Sequence, residues 1–340
     1  MESGTKQIVG EPFTVEYTSI KAWGEWPAPS SISKDRDFEE DMAKVFQREW
    51  ETHKVVKRTF SPLGFQKGRL PPNLFASMGA FYYNNANHVV REQWADGEFQ
   101  INWYEADCLF VQLPWALKQT YAEHLKDLVQ EWVGVPIEQT EMYGMRMYTE
   151  GARLLTHVDR TATHAVSLIV NVAQGNLTEP WPVEIQDHAE RMHEIVMEPG
   201  DVVYYESAKC LHGRNRPMKG PNAYFVNLFS HYRPIKDPTW FLKPNPKGTP
   251  EPVLGTKPVK DECQLVRKGL TVSPSRSGVS SSSLGYVEGV ECQNSELGKH
   301  ISPTLFQVHG AEDMIRWRKY TADGDERSLL ADRIDNAAEL

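Results

Sequence analysis

Residues 154–172 read LLTHVDRTATHAVSLIVNV, an apolar run interrupted by His157 and Asp159, two positions apart. Burying an imidazole beside a carboxylate is costly unless something pairs with them. On a strand, residues i and i+2 point to the same face, so these two side chains are expected to project together. The rest of the chain has to supply their partner.

Outward from this stretch, residues 141–232 hold short β-rich runs: MYGMRMY, AVSLIVNV, WPVEIQD, MHEIVM, DVVYYES and AYFVNLFSHY. Turn signals such as Gly175-Asn176 and Pro199-Gly200-Asp201 separate several of them. Many short strands in one stretch predict a sandwich or barrel of jelly-roll type. Residues 1–140 mix loops with amphipathic helices. The clearest is 115–133, where Leu117, Tyr121, Leu125, Leu128 and Trp132 recur at helical spacing. From Arg233 the chain turns rich in Pro, Gly and Lys, then passes through SPSRSGVSSSS, which reads as a linker. Helical pattern returns at Met314, Ile315 and Trp317, then at Leu329, Leu330 and Ile334. Three regions are therefore expected: 1–140 packing on the core, a β core over 141–235, and 236–340 as linker plus helical tail.

The chain of 340 residues is long enough for a sizeable core. Its hydrophobic content of 40% and charged content of 24% are those of a soluble globular protein. A net charge of −9 disfavours nucleic acid and anionic membranes as main partners. No secretory leader and no apolar run of membrane-spanning length is evident, so a cytoplasmic setting is expected. Cys108, Cys210, Cys263 and Cys292 show no CxxC spacing, which argues against a disulfide framework or a structural zinc site.

A third ligand from elsewhere would complete a 2-His-1-carboxylate facial triad, which leaves positions open on an iron(II) ion. Among eleven histidines, His164 is near in sequence, and His188 and His193 lie in a polar hairpin. His212, directly after the DVVYYES run, is the best candidate. An isolated HxD is commonplace, and its histidine is usually just hydrogen-bonded or exposed. Its placement before PGDVVYYES and LHGR argues otherwise here.

Tyr148-x-x-Gly151, His157-x-Asp159 and Pro199-Gly200-Asp201 before His212 resemble the iron(II)/2-oxoglutarate-dependent dioxygenases, in particular their prolyl 4-hydroxylase-like branch. The resemblance covers about residues 141–232. It implies a double-stranded β-helix with flanking helices, with Fe(II) on His157, Asp159 and His212. It also implies 2-oxoglutarate and O2 as cosubstrates, used to abstract hydrogen from a C–H bond. The chain departs from the pattern where the family usually places a cosubstrate-anchoring Arg or Lys: Pro221 and Asn222 stand there. Arg214 is the first choice as anchor, since it would share a face with His212. Lys219, Arg216 and Asn222 follow, and Asn171, Ser167 and Tyr148 are further candidates for the cosubstrate pocket. A solvated basic loop around 214–219, and a buried amide or core tyrosine at the other positions, are the bland alternatives.

A small carboxylate-bearing amino-acid derivative is the expected substrate, held by Arg146, Arg153 and Arg216. The kainoid synthases, which close a ring on an N-prenylated glutamate, are one lead. A peptidyl prolyl hydroxylase, a non-catalytic metal-binding jelly roll and an interaction protein acting through its tail are the rivals.

Overall fold

The computed structural model describes residues 38–92, 100–102, 105–249, 263–269, 286–292 and 308–323. Helix α1 spans Phe38–Val55, β1 Phe65–Arg69, α2 Pro72–Asn85, β2 Val90–Arg91, β3 Cys108–Gln112 and α3 Trp115–Val133. Strands β4 (Ile137–Glu141), β5 (Gly144–Thr149), β6 (Leu154–His157), β7 (Val166–Gly175) and β8 (Val183–Gln186) follow. Next come β9 (Met192–Ile195), β10 (Asp201–Tyr205), β11 (His212–Arg214) and β12 (Tyr224–Pro234). Strands β13 (Cys263–Gly269) and β14 (Tyr286–Cys292) precede the last described helix, α4 (Ala311–Asp323).

From β5 to β12 the chain alternates between two antiparallel sheets. Strands β10, β7, β12 and β5 lie side by side in the larger sheet, and β6, β11, β8 and β9 form the smaller one. This alternation is the double-stranded β-helix, a jelly roll. The larger sheet continues through β3 and β2 at one edge and through β1, β14 and β13 at the other, while β4 pairs with β12.

The central strands are apolar on both faces because both faces are covered. Val166, Leu168, Val170 and Val172 of β7, with Val202 and Tyr204 of β10, pack in one core with Leu125, Leu128 and Val129 of α3. Their alternates Ile169, Val203 and Tyr205 join a second core with Val183 and Ile185 of the smaller sheet and Phe46 and Trp50 of α1. Period-2 sorting thus puts α2 and α3 on one side of the larger sheet and the intersheet space, which α1 also lines, on the other. Helix α3 spans the expected residues. It stops at Gly134, whose φ of 66° suits glycine and whose N–H donates to Gln130 O.

The described parts of 1–140 and 236–340 carry more strand than the sequence led us to expect. Strands β1 to β4 are short and only half buried, so their alternation is weak in sequence. Strands β13 and β14 lie in the stretch expected to be linker and tail, and they join the larger sheet where Lys67 pairs with Glu288. The expected linker at 273–283 and the apolar positions Leu329, Leu330 and Ile334 lie outside the described residues. Cys108 and Cys210 are buried free thiols. The register of β13 and β14 sets Cys263 opposite Cys292. No helix among the described residues is long and apolar enough to cross a membrane.

Candidate metal centre and cosubstrate pocket

The end of β6 and the start of β11 face each other, with His157 directly opposite His212. Between this ligand and Arg214, Gly213 lies hard against β6. A Cβ there would stand 2.8 Å from Leu154 O and 2.9 Å from the Thr156 backbone. Only glycine lets β11 approach this closely, and the approach is what brings the two imidazoles together at 4.4 Å between ring centroids.

Hydrogen bonding decides which nitrogen of each ring is available. His157 Nδ1 lies 2.8 Å from Leu155 O, and His212 Nδ1 lies 2.9 Å from Cys210 O. A carbonyl can only accept, so both Nδ1 atoms carry the proton and both Nε2 atoms keep a lone pair. Those lone pairs converge on Asp159 Oδ1, at 3.8 Å from His157 and 3.9 Å from His212. The loop between them is pinned twice: Val158 N donates to Glu49 Oε2 of α1 at 3.0 Å, and Asp159 N donates to Ser207 O at 2.9 Å.

The other oxygen of Asp159 faces a second histidine pair. Oδ2 lies 3.6 Å from His231 Nδ1, and the rings of His231 and His164 stack at 3.8 Å. His164, His231 and Asp159 also lie close enough together to hold an ion. The proton count speaks against it. Ser207 gives its single hydroxyl proton to His164 O at 2.9 Å, so at 2.6 Å it accepts from Ser167. Ser167 Oγ, its own proton spent, then accepts from His231 Nδ1 at 2.7 Å. The nitrogen that His231 turns toward Asp159 therefore carries a proton.

Electrostatics follow this layout. Burial alone would raise Asp159, but the four surrounding imidazoles outweigh it and hold the carboxyl well below the usual carboxylate range. Burial and the facing His212 lower His157, and burial lowers His212 against the pull of Asp159. Burial pushes His231 down to about 3. All of these favour neutral imidazoles around one carboxylate, the protonation state that a metal requires.

A cavity of about 740 Å³ opens over the centre, lined among others by Tyr148, Arg146, Arg214, Tyr205, Asn227 and Arg160. Arg214 is buried within it. Its guanidinium lies 4.2 Å from the ring centres of both Trp181 and Phe225, and Nη1 donates to Trp181 O at 2.8 Å. Its Nη2 and the Tyr148 hydroxyl have no hydrogen-bond acceptor among the described residues. Burial brings Arg214 down to about 9, which leaves it a cation at neutral pH. Two buried donors without acceptors beside three convergent metal-type donors fit an anion chelated to a metal.

Of the residues singled out in the sequence, His157, Asp159, His212, Arg214, Tyr148 and Arg146 line this cavity, as does His164, the alternative third ligand. The others do not. Lys219 is exposed and pairs with Glu179, and Asn222 sits in an exposed turn at φ 56°. Arg216 pairs with Glu194 and Arg153 with Glu105, outside the lining. Asn171 donates to Gln174 and to Met197 O, and Ser167 is spent on His231 and Ser207. Arg146 is neutralised by a two-pronged pair with Glu92, both contacts 2.6 Å. Sequence reading missed Glu49, Tyr205 and His231. A histidine in AYFVNLFSHY and a glutamate on an amphipathic helix carry no local sign of pointing at a site.

No family model and no curated protein matches the chain. Among solved structures it is similar to a prolyl-4-hydroxylase from Pseudomonas putida, with a TM-score of 0.41 and 14% identity over 57% of this chain and 98% of that one. HygX from Streptomyces hygroscopicus, crystallised with nickel, 2-oxoglutarate and hygromycin B, gives 0.39 and 13% over 55% and 87%. The non-heme alpha-ketoglutarate-dependent epimerase SnoN of nogalamycin biosynthesis gives 0.39 and 10% over 56% and 81%. At such identities the chemistry rests on the side chains above.

Proposed function

We propose that this protein is an iron(II)/2-oxoglutarate-dependent oxygenase acting on a C–H bond of a small carboxylate-bearing amino-acid derivative. The observation that carries the reading is the convergence of two Nε2 lone pairs and Asp159 Oδ1, each imidazole locked by a carbonyl on its other nitrogen. His157, Asp159 and His212 would hold the iron, and Arg214 with Tyr148 would take the far carboxylate of 2-oxoglutarate. When bound, the metal and cosubstrate would supply the oxidising power: 2-oxoglutarate and O2 give succinate and CO2, one oxygen atom of O2 entering succinate and the other the substrate, or water together with two hydrogens of the substrate.

The chain's own residues do the rest. The carbonyls of Leu155 and Cys210 fix the ligand tautomers, and Glu49 and Ser207 fix the loop that carries Asp159. Trp181 and Phe225, themselves edge to face at 5.5 Å, both pack against the Arg214 guanidinium at 4.2 Å and keep water from it. For a substrate, Arg160 at the exposed side of the cavity donates to the Tyr143 hydroxyl at 2.5 Å, and Arg48 stands on α1. Arg160 would replace Arg153 and Arg216 as the cation that meets a substrate carboxylate, since Arg48 is paired with Glu49 at 3.0 Å. A cavity walled by Arg48, Glu49 and Thr52 of α1 and by Gln100 and Ile101 suits a small molecule better than an extended peptide. Ring closure on an N-prenylated glutamate is one reaction such a site would accommodate, but no residue of the cavity singles it out.

The test is anaerobic. Iron(II) followed by 2-oxoglutarate should give the visible charge-transfer band of the chelate in the wild type and none in Asp159→Ala. Succinate release is then screened with N-alkylated glutamates first and proline peptides second. A folded wild type without the band sinks the oxygenase reading, and turnover of the peptides alone moves the substrate class.

A further inference from the structure

Helix α4 reaches the metal centre through one buried carboxylate. Glu184 of β8 is fully buried and gathers three donors from two residues, Asn215 and Trp317. Asn215 N donates to Oε1 at 2.8 Å, and Asn215 Nδ2 to Oε2 at 2.6 Å. The indole Nε1 of Trp317, 133 residues further along the chain, donates to Oε2 at 2.8 Å. The same Asn215 Nδ2 bonds Thr156 Oγ1 at 2.8 Å, and Thr156 N reaches Asn215 Oδ1 at 3.4 Å.

Thr156 immediately precedes His157, and Asn215 immediately follows Arg214. The Trp317–Glu184–Asn215–Thr156 chain therefore ties together the two segments that carry both imidazoles and the buried guanidinium. Helix α4 also packs on α1, whose Glu49 accepts the Val158 amide between His157 and Asp159. The stretch leading into α4 is fastened to the same sheet: Gln186 Nε2 donates to Val308 O at 2.9 Å, and Val308 N to Glu190 O at 2.8 Å. An indole can donate but not accept. Without it, Glu184 Oε2 keeps Asn215 Nδ2 as its sole donor, and the carboxylate that anchors Asn215 loses its tie to α4.

We infer that Trp317 is a positioning residue for the candidate centre, and that α4 is a strap holding the His157 and His212–Arg214 segments in register. This rests on the metal reading above for its consequence and on the hydrogen bonds alone for its geometry.

The experiment compares full-length wild type, Trp317→Phe and Met314→Ala. Met314 is buried on the same helix, so its truncation loosens α4 packing while leaving the indole N–H in place. Two readings are taken: the dissociation constant for cobalt(II), and amide hydrogen exchange of residues 154–158 and 212–215 in metal-free protein. Trp317→Phe should weaken cobalt(II) about tenfold, the low end of what partners behind metal ligands contribute, and speed exchange in both segments. Met314→Ala should lower Tm and change neither reading by more than twofold. The inference is overturned if Trp317→Phe leaves both readings unchanged, or if Met314→Ala moves them equally. Should Trp317→Phe not fold, Glu184→Gln, which keeps the shape and removes an acceptor, is judged by the same two readings. A wild type that binds no cobalt(II) sinks the metal reading instead, and the exchange rates still decide the strap.

Discussion

Asp159 stands between two histidine pairs of the same composition and opposite preparation. On its Oδ1 side, His157 and His212 spend their Nδ1 protons on carbonyls and present bare Nε2 atoms. On its Oδ2 side, His231 presents a protonated Nδ1, because Ser207 and Ser167 have already committed their hydroxyl protons elsewhere. Proximity of His and Asp therefore does not define a metal site. The partners of the ring nitrogens do: in the second pair Ser167 accepts from the same Nδ1 that faces Asp159, which makes the imidazole a support for the carboxylate and not a candidate ligand.

The largest effect that tests this contrast is on the metal itself. His212→Ala should weaken Fe(II) or cobalt(II) by at least about a hundredfold and abolish the chelate band, since a facial triad cannot lose a ligand and stay closed. His231→Asn should cost only about tenfold and keep the band, as removal of a supporting group does. Equal losses in the two variants would erase the distinction between the pairs.

The second effect is on the cosubstrate. Arg214→Met should raise the 2-oxoglutarate dissociation constant about a hundredfold, because a charge-assisted contact to a buried guanidinium contributes roughly 2–3 kcal/mol. Metal affinity should stay unchanged, and Lys219→Ala, on an exposed side chain, should alter neither constant. The reverse ranking would return the anchor to the basic loop.

How far the sequence reaches follows from the same contrast. The strands of the jelly roll were legible because AVSLIVNV and DVVYYES are short, β-branched and bounded by turns. Their apolarity on both faces told of cover on both sides but not what supplied it. The convergence of His157 and Asp159 is what the two-residue spacing of HxD led us to expect, although Asp159 lies just past the end of β6, and His212 was chosen from its place after DVVYYES. Arg214 followed from the same period, counted from His212. Lys219 and Asn222 lie outside the cavity for a local reason: β11 is three residues long, and both side chains sit in the exposed turn that follows it. Glu49, His231 and Trp317 were out of reach because their meaning lies in contacts across more than seventy residues of chain.

A third test separates the two ends of the Glu184 chain from the histidines by pH. Burial raises Glu184 to about 7 against the three donors that favour its charge. Its unfolded value is near 4.5. Between those limits the folded protein binds the proton that the unfolded chain releases. This contribution is thus fully present below about pH 4.5 and is lost as pH rises through 7, by on the order of 3 kcal/mol at most. His231 runs the other way: its value of about 3 against 6.5 unfolded means stability is lost as pH falls below 6.5. Chemical denaturation of metal-free protein should therefore show a maximum between the two limbs. In Glu184→Gln the alkaline limb should flatten while the acid limb stays. An unchanged alkaline limb would show that Glu184 is ionised throughout.

The smallest effect bears hardest on the comparison. Ser167→Ala removes one buried hydroxyl that accepts from His231 and donates to Ser207, at about 2 kcal/mol of stability. Its consequence for metal stoichiometry should be larger than for stability. Ser167 is the acceptor that keeps the proton on His231 Nδ1; without it, the neutral ring can place its proton on Nε2 and turn a lone pair toward Asp159 Oδ2. Wild type should bind one equivalent of cobalt(II) by calorimetric titration, with His157, Asp159 and His212 as ligands. Ser167→Ala should keep that equivalent and gain a weaker second one, abolished by adding His164→Ala. Two equivalents in the wild type would mean that the hydroxyl chain does not fix the tautomer, and the two histidine pairs would then differ in affinity rather than in kind.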